Sequence, residues 1–232
     1  SLTETIKIPQ NLPGVDSLRI AYSIDMGFHE VVNDVRRETL IALKVLADAG
    51  ALVEELPVDW ATEAIRLAHI REEFMFAPEI STAVRDHPDL VSDYVSELAQ
   101  TALSATADEF RLAQRVAGQV WQDHLGPMFN MFDVLITPTV SSPEIPAENW
   151  QKSKLVINGK TVTDTDIAMT GLWNMFGHCP VLAIPSGMTD KGLPTGIQII
   201  GRPYDDVTVF RVGAALERMK PWLDRTDRRP NI

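Results

Sequence analysis

NMFGHCPVLAIPSG over residues 174–187 and GLPTGIQIIGRP over residues 192–203 decide the fold. Each contains a short, mostly apolar run fenced by Pro and Gly: Val181 to Ile184 between two prolines, and Ile197 to Ile200 between two glycines. Runs with no polar face predict strands buried on both sides, and Met188 to Lys191 is the turn that lets the two pair.

Working outward, Val134 to Thr137 (VLIT) is a third strand without a polar face, ended by Pro138. Leu18 to Ser23 alternates apolar and polar residues as a strand does, and Ala51 to Leu56 is a further strand that Pro57 closes. Between these two, Val31, Val32, Val35, Leu40, Leu43, Leu46 and Ala47 recur at helical spacing, with Gly50 placed for a left-handed helix end. A strand, helix, strand unit of this kind predicts parallel pairing with a right-handed crossover. Trp60 to Arg85 reads as helix with a break or kink at Pro78, Val91 to Leu103 as another, and Val207 to Met219 as the last. Thr106 and Glu109 stand at capping-box spacing and start a helix whose stripe is Phe110, Ala113, Val116, Ala117 and Val120, weakening near Gly126 and Pro127. Ser141 to Pro146 is irregular, and Asn158-Gly159 turns a small exposed hairpin between Lys154 to Ile157 and Thr161 to Thr163. The pattern predicts one α/β region over residues 1–232, a mixed β-sheet covered by helices.

Composition narrows the function. Lys and Arg number 21 against 32 Asp and Glu, a net charge of -11, so a phosphate backbone would be repelled and no nucleic acid partner is expected. No apolar run reaches the roughly 20 residues that span a bilayer. Ser1 to Gln10 has no basic stretch followed by an apolar one, which predicts no membrane partner and a cytoplasmic protein. One cysteine, Cys179, rules out an internal disulfide framework, and five scattered histidines offer no zinc-type cluster, so no metal and no cofactor are expected.

In their order and spacing the LRIAYS strand, the Ala49-Gly50-Ala51 helix end, Ala105 to Arg115, Asp133 to Thr139 and the 174–203 region resemble the C-terminal half of the amidase signature hydrolases, and the resemblance covers most of the chain. It implies an enzyme that cleaves a carboxamide C–N bond with a nucleophilic serine from a glycine-rich loop, a second serine and a lysine. A serine hydroxyl needs a base to take its proton, and the tetrahedral intermediate needs fixed N–H donors. The adjacent pair Ser141-Ser142 is followed by Pro143 and has no flanking glycine, so it does not supply that loop, and no catalytic residue is assigned. The reading is a C-terminal portion of an amidase-like enzyme, its catalytic half absent, inactive by itself and supplying scaffold and one pocket wall. The alternative is a naturally short, non-catalytic ligand-binding or assembly module of the same architecture. A homo-oligomer formed through exposed apolar surface is expected, and the parent's partner is a small-molecule amide.

The resemblance places the pocket wall just before the 174–203 signature, at Asp166, Thr170, Trp173 and Asn174, with Asp164 as the neighbouring acid and Thr139, beside Thr137, as a second contribution. The same residues also read plainly: Asp164 and Asp166 as solvated loop acids, Trp173 as packing, and the threonines as hydroxyls bonded to backbone at a strand end. His178 and Cys179 are adjacent on an extended segment and point to opposite faces, so they make a poor base and nucleophile pair, and Cys179 reads as a small buried hydrophobe. Ser186 has Pro185 before it and no evident base. His29, His69, His87 and His124 are expected at the surface or at caps, and Glu54-Glu55 and Glu72-Glu73 on solvated faces.

Overall fold

A computed structural model describes residues 5–146, 155–222 and 228. Strand β1 (Arg19–Tyr22), helix α1 (Asn33–Asp48) and strand β2 (Leu52–Glu55) form the expected unit, with β1 and β2 parallel in the register Ile20 to Val53. Helix α2 (Ala61–Asp86) runs unbroken through Pro78, against the expected break. Helix α3 is Asp93–Ala102. Helix α4 (Ala107–Val120) starts on the capping box, where Glu109 N–H donates to Thr106 Oγ1 at 3.2 Å and Thr106 N–H to Glu109 Oε2 at 2.9 Å. Two orphan amides are satisfied reciprocally, which fixes the start of the helix. A π turn, Trp121–Leu125, joins α4 to α5 (Gly126–Met131), so the weakened stretch is a widened helix and not its end.

Strand β3 (Val134–Pro138) is buried at every position. The small hairpin pairs β4 (Leu155–Ile157) with β5 (Lys160–Val162), turned by Asn158 and Gly159 at φ 51° and 80°. Its expected start at Lys154 lies outside the described residues. One helical turn, α6 (Asp164–Ile167), and a 3-10 helix, Gly171–Phe176, lead to β6 (Val181–Met188), β7 (Pro194–Gly201) and α7 (Asp206–Met219). The β6–β7 turn lies later than expected, between Thr189 and Leu193, where Thr189 N–H donates to the Leu193 carbonyl at 2.8 Å. The five-stranded sheet has the order β2-β1-β3-β7-β6, parallel from β2 to β3 and antiparallel from β3 to β6.

Side-chain alternation sorts the sheet into two faces. Ile20, Val134, Ile136, Ile197 and Ile199 meet Leu43 and Leu46 of α1 and Val212 and Leu216 of α7. Ala21, Leu135 and Ile200 meet Ala64 and Ile65 of α2, Leu125, Phe129, Trp173 and Phe176. The expectation that VLAIP is covered on both sides is corrected here. Leu182 and Ile184 pack toward α1 and α7, whereas Val181, Ala183 and Pro185 on the opposite face are exposed. The strand lies at the sheet edge, beyond the reach of the helices that cover β1, β3 and β7 on that face. A bulge between Pro185 and Gly187 turns its last residues inward.

The loop leaving β1 makes one demand on side-chain size. Met26 and Gly27 have φ 52° and 65°, and a Cβ on Gly27 would lie 1.9 Å from the Val58 carbonyl oxygen. Only glycine fits a left-handed position pressed on backbone. Gly27→Ala should cost about 2–4 kcal/mol in urea unfolding. Gly118→Ala, in open space on α4, should instead gain about 0.5–1 kcal/mol.

Candidate functional site

Parallel strands deliver loops at their carboxyl ends, and crevices outside those ends are where α/β sheets bind ligands. Here β1 ends at Tyr22 and β3 at Pro138, side by side, and the antiparallel β7 begins against the end of β3. Three segments meet there: the loop 23–32, the loop 139–146, and the 164–176 region that precedes β6.

The junction is held by one buried carboxamide. Gln198 on β7 is 1% exposed, and its Nε2 donates to Thr137 Oγ1 (3.0 Å), the Pro138 carbonyl (3.0 Å) and the Met169 carbonyl (2.8 Å). The opposite amide orientation would aim an acceptor at two carbonyls, so the network itself sets it. Gln198 Oε1 and Ser141 Oγ are buried without a protein partner among the described residues. Backbone bonds complete the seam: Met169 N–H to the Thr139 carbonyl (3.1 Å) and Ser141 N–H to the Ile167 carbonyl (2.9 Å).

Of the five residues placed in the wall by resemblance, Thr139 lies in this seam and Asp166 and Thr170 flank it, while Trp173 packs in the core and Asn174 faces α2. Thr139 Oγ1 donates to the Gly196 carbonyl at 3.2 Å. A Cβ on Gly196 would come within 2.8 Å of that hydroxyl, so the glycine lets the two strands' ends close up. Asp166 turns its carboxylate back onto Thr163, accepting from its N–H and its hydroxyl, each at 2.8 Å. Thr170 is exposed at the start of the 3-10 helix. Trp173 is 4% exposed, packed in the core, and its indole Nε1 has no protein partner among the described residues. Asn174 is exposed, donates to Glu72, and receives Arg71 on its carbonyl at 3.2 Å. Glu72 is thus a partner of the signature segment and not merely a solvated acid.

Two residues escaped the sequence reading. Gln198 lies inside the 197–200 run, and a single polar residue in such a run is the signal that marks it. His29 was expected at the surface or a cap, yet it is 6% exposed, with Nδ1 2.7 Å from the Asp166 carbonyl. Its position follows from the tight Ser23–His29 loop, where Met26 N–H bonds Ser23 Oγ (3.1 Å) and His29 N–H bonds the Asp25 carbonyl (2.9 Å). His69 on α2 lies directly beneath Gly171, its Nε2 buried without a partner among the described residues. His124 stacks on Trp60 at 5.1 Å.

Burial pushes the Cys179 thiol up to about 11, so no thiolate forms there at neutral pH. Ser186 Oγ meets Thr195 Oγ1 at 2.8 Å, and a hydroxyl is no base. Among the described residues Lys220 donates to the carbonyl of Ser186 and the Glu38 carboxylate. Among the described residues no group of three or more His, Cys, Asp or Glu is arranged to hold a metal ion, and no helix is long and apolar enough to cross a membrane.

Residues 8–210 match the protein-family model described as Amidase. An acylamidase of Rhodococcus erythropolis is 28% identical over 225 residues, covering 96% of this chain and 46% of that protein. An amidase of Pseudomonas putida is 29% identical over 219 residues, which are 91% of this chain and 45% of that protein. The crystal structure of a bacterial aryl acylamidase of the amidase signature enzymes superposes with TM-score 0.74 at 26% identity, over 94% of this chain and 47% of its own. The chain therefore spans about half the length of these relatives.

Replacing Gln198 by Leu removes the amide group shared by Thr137 Oγ1 and the Pro138 and Met169 carbonyls and should cost about 2–4 kcal/mol, measured by urea unfolding. His29 carries a pH dependence of known sign. Burial is the largest influence on its imidazole and, with His69, lowers its pKa below the usual 6.5, while Asp166 and Asp25 oppose the shift. The stability that follows from a depressed value is present above the unfolded pKa and is lost as pH falls through the folded one. Unfolding free energy should therefore drop on acidification below pH about 6.5, and His29→Asn should flatten that part of the curve.

Proposed function

The chain belongs to the amidase family, and we propose that it is the C-terminal portion of an amidase-type hydrolase, supplying scaffold and one wall of the pocket for a small carboxamide. In this reading the serine nucleophile, its partner serine and the lysine that takes the proton come from protein outside these 232 residues. The wall is the seam where the end of β3 meets the start of β7, together with the segment before β6, and its candidate residues are Asp166, Thr170, Trp173, Asn174 and Thr139. A cytoplasmic setting goes with the reading, supported by a free, buried cysteine.

One observation carries it. The outward face of β6 is a bare strip, Val181, Ala183 and Pro185, and Ala183 is the cross-strand neighbour of Gln198. The uncovered strip thus borders the seam on the same side of the sheet. An edge strand with an exposed apolar face invites a covering partner. In the parent that cover is the rest of the enzyme, whose reacting groups would then stand next to the seam. In the chain alone it is a second copy, joined through β6. A charged or polar strip would instead have favoured the short, self-sufficient module.

The 232-residue chain should show no turnover of simple amides such as acetamide or acetanilide above the uncatalysed rate. It should run as a dimer or larger by light scattering, and Ala183→Lys should return it to a monomer. Turnover that vanishes in Ser186→Ala would overturn the proposal, and a monomeric wild type would remove its oligomeric part.

A further inference from the structure

Besides Gln198, His29 is a polar side chain outside the pocket wall that bonds directly to it. Its ring reaches Asp166 from the loop after β1, more than a hundred residues away in sequence. A carbonyl oxygen can only accept, so Nδ1 at 2.7 Å must carry the hydrogen. Asp166 passes the restraint on. Its carboxylate holds Thr163, the next carbonyl, at Ile167, accepts from Ser141, and two residues later Met169 N–H is tied to Thr139. At the other end of the segment the His69 ring lies under Gly171, where a Cβ would come within 3.1 Å of its Cε1. Histidines from two separate elements thus grip the stretch that carries Asp166, Thr170 and Trp173.

We propose that His29 is a positioning residue for this wall: its Nδ1–H, donated to the Asp166 carbonyl, sets the place of the Asp166–Trp173 segment and through it the affinity of the wall for a carboxamide. The affinity part rests on the reading of that segment as substrate-facing. The loop that carries His29 is built to hold it still. Asp25 accepts from Gly27, Phe28 and His29, Phe28 packs edge-on against the imidazole at 5.0 Å, and Gly27 is pressed on the backbone of Val58. Glu30 and Val32, the residues that follow, engage Lys160, Asn158 and Ser141, so the same short segment also braces the β4–β5 hairpin and the 139–146 loop.

The test separates a hydrogen bond from a space-filling role. His29→Phe fills the volume without a donor, and His29→Asn brings a side-chain N–H toward the same carbonyl. In the Phe variant the amides of Ser141 and Met169 should exchange with deuterium about tenfold faster, with those of Ile136 and Ile199 unchanged, because one net hydrogen bond is worth about that factor. Benzamide, titrated while the Trp173 indole N–H is followed by NMR, should bind the Phe variant weaker by a similar factor. Asn should restore both readouts to within about threefold. Long-range proton–nitrogen spectra of the wild type should show Nδ1 protonated. A bare Nδ1, or wild-type exchange rates at Ser141 and Met169 in the Phe variant, would overturn the proposal. A Phe variant that did not fold would leave the decision to the Nδ1 spectrum and the Asn variant. Failure of benzamide to move Trp173 in the wild type would overturn the wall reading and the affinity claim with it, while exchange still decided the positioning role.

Discussion

The carboxamide of Gln198 is the point on which the arrangement turns. It sits on β7, between the buried β3 and the edge strand β6, and is itself 1% exposed, so its polar atoms need partners within the protein. Its Nε2 group instead satisfies a hydroxyl and a carbonyl on β3 and the carbonyl of Met169 in the segment before the 3-10 helix. A buried donor is costly to leave unmade, and so are the acceptors it serves. The bond set therefore specifies which residue of β7 faces β3, and pulls the 166–173 segment down onto the end of the sheet. A shift of β7 by one residue would aim an isoleucine at three polar atoms and turn the amide toward α1 and α7.

From that point the rest of the site follows by backbone geometry. With Met169 anchored, its N–H reaches Thr139 and the Val140–Ala168 bridge forms, so the loop after β3 and the loop before β6 become a short stretch of paired chain. His29 reaches the same segment from the loop after β1, and His69 supports it from α2. The parallel half of the sheet supplies two of these loops from its carboxyl ends. The antiparallel half brings the third beside them, which a fully parallel sheet of the same strands would not do.

Much of the fold was legible because local signals and burial agree. The capping box at Thr106 and Glu109, the Asn158-Gly159 turn and the β1-α1-β2 unit all lie within a few residues of the positions their chemistry predicts. The resemblance to amidase signature enzymes rests on the LRIAYS strand, the Ala49-Gly50-Ala51 helix end, Ala105 to Arg115, Asp133 to Thr139 and the 174–203 region in order, and the match over residues 8–210 agrees with it. The expectations that failed depend on distant chain. VLIT and VLAIP share Val, Leu and Ile and neither has a polar face, yet one is buried throughout and the other has a bare face, because only one lies in the interior of the sheet. Pro78 lies inside an α2 that continues on both sides of it, against the local preference.

The amino-acid sequence by itself determined the fold class, the family and the absence of a glycine-flanked serine pair, since each rests on residue types and short-range order. Tertiary structure alone decided that His29 is inside and bonded to Asp166, that Gln198 is a clamp, and that β6 presents an open face beside it. The physical reason is that a hydrogen bond between residues 29 and 166, or the cover over one side of a strand, is a relation between segments far apart in the chain. No periodicity or spacing within either segment encodes it.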